Sequence, residues 1–165
     1  MKLPEIPLEK IMALPALYTG TVPHEYEDFN GHMNVRHYLS LFDEAGYPLI
    51  ETLGLTPEIH AEQQTGGFDL EHHLWYVNEV MVGDIVTVHA RILGRSAKRM
   101  HYLFFMVNRT RDKLAAVFEC VNSFADMRTR RTAPWPPDVA AKIDALIEEH
   151  RALDWDAPTS GGMGA

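Results

Sequence analysis

From Asn34 onward the apolar positions fall at Tyr38, Leu41, Phe42, Ala45, Leu49, Ile50 and Leu53. Intervals of three and four mark a helix that buries one face. Gly54 stands where a C-terminal cap belongs. Pro48 lies inside the pattern. It removes one amide and meets the carbonyl of Glu44, so a kinked helix or two shorter ones are expected. After a loop through Gly66-Gly67 the period changes from that of a helix to that of a strand. Val86, Val88, Ala90 and Ile92 alternate with Thr87, His89 and Arg91, as a half-buried strand requires. Further alternating runs cover Met100 to Asn108 and Leu114 to Ala125. Gly94-Arg95-Ser96-Ala97 and Thr110-Arg111-Asp112-Lys113 read as the hairpin turns between them. Tyr18 to Tyr26 and the less regular Phe68 to Val80 read as two more strands, and Asp28-Phe29-Asn30-Gly31 as a turn. Pro136-Pro137-Asp138 opens a last helix with Val139, Ile143, Leu146, Ile147 and His150 on one side.

The order is strand, long helix, four strands, helix: an α+β domain with an antiparallel five-stranded sheet. Residues 1–16, with three prolines and little periodicity, form an N-terminal arm. Residues 17–137 form the domain, 138–153 the C-terminal helix, and 154–165 a tail expected to be disordered because it is Gly-rich. One helix cannot cover such a sheet, and open edges invite pairing, so a homodimer or homotetramer is expected.

Composition narrows the function. The chain has 165 residues, enough for a core without staples. Its net charge of −8 argues against nucleic acid or an anionic membrane as partner. The single cysteine, Cys120, has no intramolecular partner, which suits a reducing cytoplasm. No apolar run approaches the length of a membrane span, and the first residues do not resemble a secretory signal.

The stretch Asp28-Phe29-Asn30-Gly31-His32-Met33-Asn34-Val35-Arg36-His37-Tyr38 carries the most chemistry. It sets a carboxylate just before a helix start, across a glycine that permits tight backbone geometry. The unpaired amides of a helix's first turn hold an anion or polarise a carbonyl. A carboxylate beside them acts as general base or nucleophile. The plainer alternative is an Asx turn or a helix cap made by Asp28 or Asn30.

Asp-x-x-Gly-His-Met-Asn followed by an aromatic helix resembles the signature of hotdog-fold acyl-CoA thioesterases of the 4-hydroxybenzoyl-CoA thioesterase type. Trp75-Tyr76-Val77-Asn78-Glu79-Val80-Met81-Val82-Gly83-Asp84 is similar to that family's second strand and its Gly-Asp turn. Leu93-Gly94-Arg95-Ser96 is similar to its next hairpin, and Asp126-Met127-Arg128-Thr129-Arg130-Arg131 with Pro134 to the end of its last strand. The resemblance runs from Tyr18 to Pro137. Two departures stand out: Tyr26 replaces an acid common two residues before the aspartate, and Val35 replaces an asparagine.

The resemblance implies a sheet wrapped around one long helix and hydrolysis of a small or medium acyl-CoA, with no cofactor apart from the coenzyme A of the substrate. Asp28 takes the place of the catalytic carboxylate, and Val35 offers its backbone amide to the thioester carbonyl. Both covalent and water-mediated routes are known in the family. Asn34 and His32 are candidates to orient Asp28, a water or the ligand, and Tyr38 packs beneath or in the site. Phe42, Tyr47, Trp75 and Tyr76 are candidates for the acyl pocket. With Glu71 or Glu119 beside them, aromatic faces would hold a cationic acyl group, as in the betainyl-CoA thioesterases of carnitine breakdown. Arg95, Lys98 and Arg99 at a hairpin, with Arg128, Arg130 and Arg131 after the last strand, are candidates for the coenzyme A phosphates or else solvated turn residues. His32 and His37 lie five apart and His72-His73 adjacent, with no zinc-type spacing, so no metal is expected. A hotdog hydratase typically spaces Asp and His by five, whereas Asp28 and His32 are four apart. A non-catalytic acyl-CoA-binding module is the remaining alternative.

Overall fold

A computed structural model of the chain describes residues 6–165. The elements in order are α1 (Leu8–Met12), β1 (Ala16–Thr21), α2 (Val35–Thr52), α3 (Pro57–Gln63), β2 (Thr65–Tyr76), β3 (Ile85–Arg95), β4 (Arg99–Asn108), β5 (Lys113–Asp126), β6 (Arg131–Thr132) and α4 (Pro137–Arg151). The strands form one sheet in the order β1-β3-β4-β5-β2, with the two-residue β6 paired to β5. The sheet therefore has six strands rather than the five expected, because Ala125 and Asp126 find partners in Thr132 and Arg131. Pro23 ends β1 at Thr21, so His24–Tyr26 form a 3₁₀ turn instead of continuing the strand to Tyr26. The expected loop after Gly54 contains α3, started by Thr56, whose hydroxyl accepts the amide of Ile59, and by Pro57 at its first position. Gly66 and Gly67 belong to β2.

The long helix runs unbroken past Pro48. Its last carbonyls are closed by Gly54, in the left-handed region at φ +84°: Gly54 donates to Glu51 and Leu55 to Ile50. That is the paired bonding of a Schellman cap. At the other end Asn34 caps the helix by accepting the amide of Arg36.

Two compact units are formed, each from three stretches of chain: one from residues up to Leu49 with Leu74–Ala90 and Phe104–Phe118, the other from Ile50–His73, Arg91–Leu103 and Glu119–Ala165. In the first, Phe42 stacks with Phe104 and Phe118 at centroid distances of 6.1 and 5.1 Å, around buried Leu41, Ala45 and Val86. The alternation in β3 does not leave a wet face: Thr87, His89 and Arg91 are buried like the valines between them. The N-terminal arm covers the first two. His89 Nδ1 donates to the carbonyl of Leu14 at 2.8 Å, so its Nε2 accepts the Thr87 hydroxyl at 2.9 Å. In the second unit Arg91 donates to the Trp155 carbonyl and lies 4.2 Å over its ring.

The terminal stretch expected to be disordered thus makes specific contacts. Trp155 and Pro158 are buried, and the Ser160 amide donates to Glu119 at 2.7 Å. Averaged composition hides two such apolar side chains among glycines. Leu14 near the start of the chain and the tail thus cover parts of β3 and β5 that the helix leaves. What stays open is β2, the last strand in the sheet order, with Phe68 67% and Leu70 41% exposed.

Candidate active site

The first unit carries a cleft of about 310 Å³ lined by Asp28, His32, Met33, Val35, Tyr38, Tyr76, Val77, Asn78 and Glu79. Its near wall is the loop between the 3₁₀ turn and α2, fixed by backbone bonds at both ends. Asn34 donates to the Tyr26 carbonyl at 2.8 Å, Asp28 to His32 at 2.9 Å and Met33 to Val80 at 2.7 Å. Gly31, at φ +82°, lets the chain reverse and donate to the Asp28 carbonyl, a conformation L side chains resist. Tyr26 and His37 stack face to face at 3.8 Å and brace the loop against the first turn of α2. The far wall is held where Val77 and Asn78 both donate to Ala115 and the Asn78 side chain donates to Leu114.

Asp28 does form the Asx turn that the plain reading anticipates: its Oδ1 accepts the amide of Asn30 at 2.8 Å. The helix cap, however, is Asn34, so the carboxylate keeps Oδ2 for other work. That oxygen lies 3.5 Å from His32 Nδ1, and the Asp28 side chain is 11% exposed. Val35, first residue of α2, lines the same cleft, and its amide has no hydrogen-bond acceptor among the described residues. A helix's first-turn amides carry partial positive charge. A carboxylate residue and the residue that carries such an amide therefore line one concave site.

Tyr38 and Tyr76 meet edge to face across the cleft at 5.1 Å. Burial, the neighbouring Tyr76 and the charges of Glu79 and Asp28 push the Tyr38 phenol up to about 12, against the opposing amide of Val80. Tyr38 is therefore a neutral hydroxyl wherever the chain is folded and near neutrality. None of the lining residues is a lysine or arginine, whereas two are carboxylates.

Several expected site residues lie elsewhere. Phe42 is the centre of the aromatic stack, not a pocket wall, since its helical position faces Phe104 and Phe118. Trp75 precedes Tyr76 on β2 and does not line the cleft, as alternation along a strand dictates. Arg95 is committed to Asp144 by two bonds of 2.7 and 2.6 Å. Lys98, Arg99 and Arg130 are exposed and also absent from the lining. Glu119 is wholly buried, with His101 Nε2 at 2.8 Å on one oxygen and the Ser160 amide on the other; Glu71 is exposed and outside the cleft. Asn78 and Glu79 were not anticipated as site residues, although they sit in the quoted Trp75–Asp84 segment. Their signal was the Gly-Asp turn that follows. Asp84 accepts from the Met81 amide, Asn108 and Arg111, and so fixes how that segment leaves the sheet. No zinc-type spacing exists in the sequence, yet Asp69, His72 and Cys120 of the second unit bring an oxygen, a nitrogen and a sulfur within 4.8 Å of one another.

A carboxylate residue and the first residue of the long helix thus line one cleft, on an antiparallel sheet whose long helix follows its first strand. The profile of the thioesterase-like superfamily matches residues 22–143, and the chain belongs to that family; it is a thioester hydrolase. It is 31% identical over 147 residues to a betainyl-CoA thioesterase of Pseudomonas aeruginosa, covering 89% of this chain and 90% of that one. It is 26% identical to an L-carnitine dehydrogenase/betainyl-CoA thioesterase of Rhizobium meliloti, over 82% of this chain but 27% of that longer protein. A hypothetical protein from Staphylococcus aureus, solved in complex with CoA, superposes with a TM-score of 0.80 at 24% identity, over 92% and 95% of the two chains; this likeness carries the fold. Among the described residues no helix is long and apolar enough to cross a membrane.

Proposed function

We propose that Asp28 and the Val35 amide carry out the hydrolysis of an acyl-CoA thioester, on the observation that a half-engaged carboxylate and an unpaired helix-start amide line one cleft. The thioester oxygen lies against the Val35 amide, which gains strength as the carbonyl becomes an oxyanion. Asp28 Oδ2 either attacks the carbonyl carbon or takes the proton of an attacking water, and coenzyme A leaves as the thiol. Oδ1, held by Asn30, keeps the carboxylate aimed. No step calls for a cofactor. Buried, unpaired Cys120 suits a reducing compartment such as the cytoplasm. The exposed β2 edge supports a homodimer, alone or within a tetramer. The first test is release of free coenzyme A by Asp28→Asn; ordinary turnover in that variant overturns the assignment.

The acyl group best suited to this cleft is a small quaternary ammonium, such as betainyl. Two tyrosines offer ring faces and edges, Glu79 and Asp28 offer negative charge, and no lysine or arginine opposes them. The betainyl-CoA thioesterases among its relatives favour the same reading. The decisive pair of substrates is betainyl-CoA and 3,3-dimethylbutyryl-CoA, alike in shape but differing by one charge. A desolvated cation–aromatic contact of about 2 kcal/mol predicts a preference of roughly thirtyfold in kcat/KM for the cation, reduced in Glu79→Gln. Equal turnover of the two would leave Asp28 its role and remove the cationic substrate.

A further inference from the structure

The strands β2 and β5 are neighbours in the sheet, and where they run together three side chains of different chemistry converge. Asp69 Oδ2 stands 2.9 Å from His72 Nε2, and Cys120 Sγ completes a set in which all three atoms lie within 4.8 Å of each other. We propose that Asp69, His72 and Cys120 bind a divalent transition ion of the zinc class and so clip the edge strand β2 to β5. An oxygen, an imidazole nitrogen and a thiolate together suit zinc, which is indifferent to d-electron geometry and takes four such donors; water supplies the fourth at this exposed edge. Two neighbours support the ligands from behind. Asn122 donates to Asp69 Oδ1 at 2.6 Å, which turns Oδ2 toward His72, and the Tyr102 hydroxyl bonds the Cys120 sulfur. Outer groups of this kind orient ligands and raise affinity. The carboxylate and imidazole side chains are 38% and 33% exposed, which gives an ion a way in, while the thiol beneath them is buried. Burial pushes that thiol up and keeps it protonated without metal; an ion replaces its proton, which passes to solvent. None of the three lines the cleft of Asp28, so the ion's work is stability and not hydrolysis.

Cobalt(II) reports directly on sulfur, and Cys120 is the chain's single cysteine. Added to the chelator-stripped full chain, one equivalent of cobalt is expected to produce a thiolate-to-cobalt charge-transfer band in the near ultraviolet, removed by one equivalent of zinc. Zinc is expected to raise the thermal midpoint of the wild type and leave that of Cys120→Ser unchanged. His72→Gln, at a partly exposed position, serves as the second variant should the serine disturb packing. Asn122→Ala is expected to weaken cobalt affinity about 10- to 100-fold without removing the band. Absence of the band at stoichiometric cobalt, or an equal zinc-induced rise in wild type and His72→Gln, overturns the site and assigns any binding to other histidines.

Discussion

Two carboxylate–histidine pairs in this protein use the same chemistry to opposite ends. Glu119 and His101 face each other across neighbouring strands at 2.8 Å, the carboxylate fully buried, its second oxygen taken by the Ser160 amide. Asp28 and His32 sit on a loop four residues apart, at 3.5 Å, with one oxygen held by Asn30 and the other facing a cleft. In the first pair each carboxylate oxygen has a donor and the group is closed off from any cleft. In the second the hydrogen bonding is enough to aim the group and too little to satisfy it. The proposed reactivity rests on the incomplete set.

The contrast is sharpest if each carboxylate is removed in turn. Asp28→Asn keeps the turn, because the amide oxygen still accepts from Asn30, yet loses the proposed base or nucleophile. Turnover is expected to fall about 10²- to 10⁴-fold while stability stays within about 0.5 kcal/mol. Glu119→Ala is expected to do the reverse. It strands a buried imidazole and a tail amide, which costs about 3–5 kcal/mol in denaturant unfolding, while turnover per folded molecule stays near that of the wild type. If Asp28→Asn proved the more unstable of the two, or Glu119→Ala the less active per folded molecule, the roles would be interchanged.

How much of this could be read from the chain alone depends on the distance over which the information acts. The long helix, its Gly54 cap and the strands β3 to β5 are written in consecutive residues, and the structure has them where periodicity put them. Phe42 shows the limit: helical spacing says that it is buried, but not whether a ligand or Phe118 lies against it. Arg95 looked like part of a basic cluster until Asp144, 49 residues on, appeared beside it. The burial of Thr87, His89 and Arg91 depends on Leu14 and Trp155, far away in sequence. The donors Asp69, His72 and Cys120 are brought together by strand pairing, which no spacing motif records.

The smallest expected effect concerns two buried histidines whose ring bonds go to backbone or hydroxyl groups rather than to a carboxylate. His89 and His150 are both held neutral: burial lowers their pKa values, and each uses Nδ1 in a fixed role, His89 donating to Leu14 and His150 accepting the amide of Ile92. A proton on His150 Nδ1 would turn that acceptor into a second donor facing the amide. Folded-state values below the unfolded one mean that the unfolded chain binds protons more readily. The stability these groups contribute is therefore complete above about pH 6.5, the ordinary imidazole value, and declines as the pH falls through it toward the lower folded values. Urea titrations at pH 7.5 and 5.5 are expected to show the loss, and the double variant His89→Gln with His150→Gln to show a smaller one. Stability that rises on acidification over this range would mean that the two rings are charged in the folded protein, and that burial there is offset by partners stronger than a carbonyl and an amide.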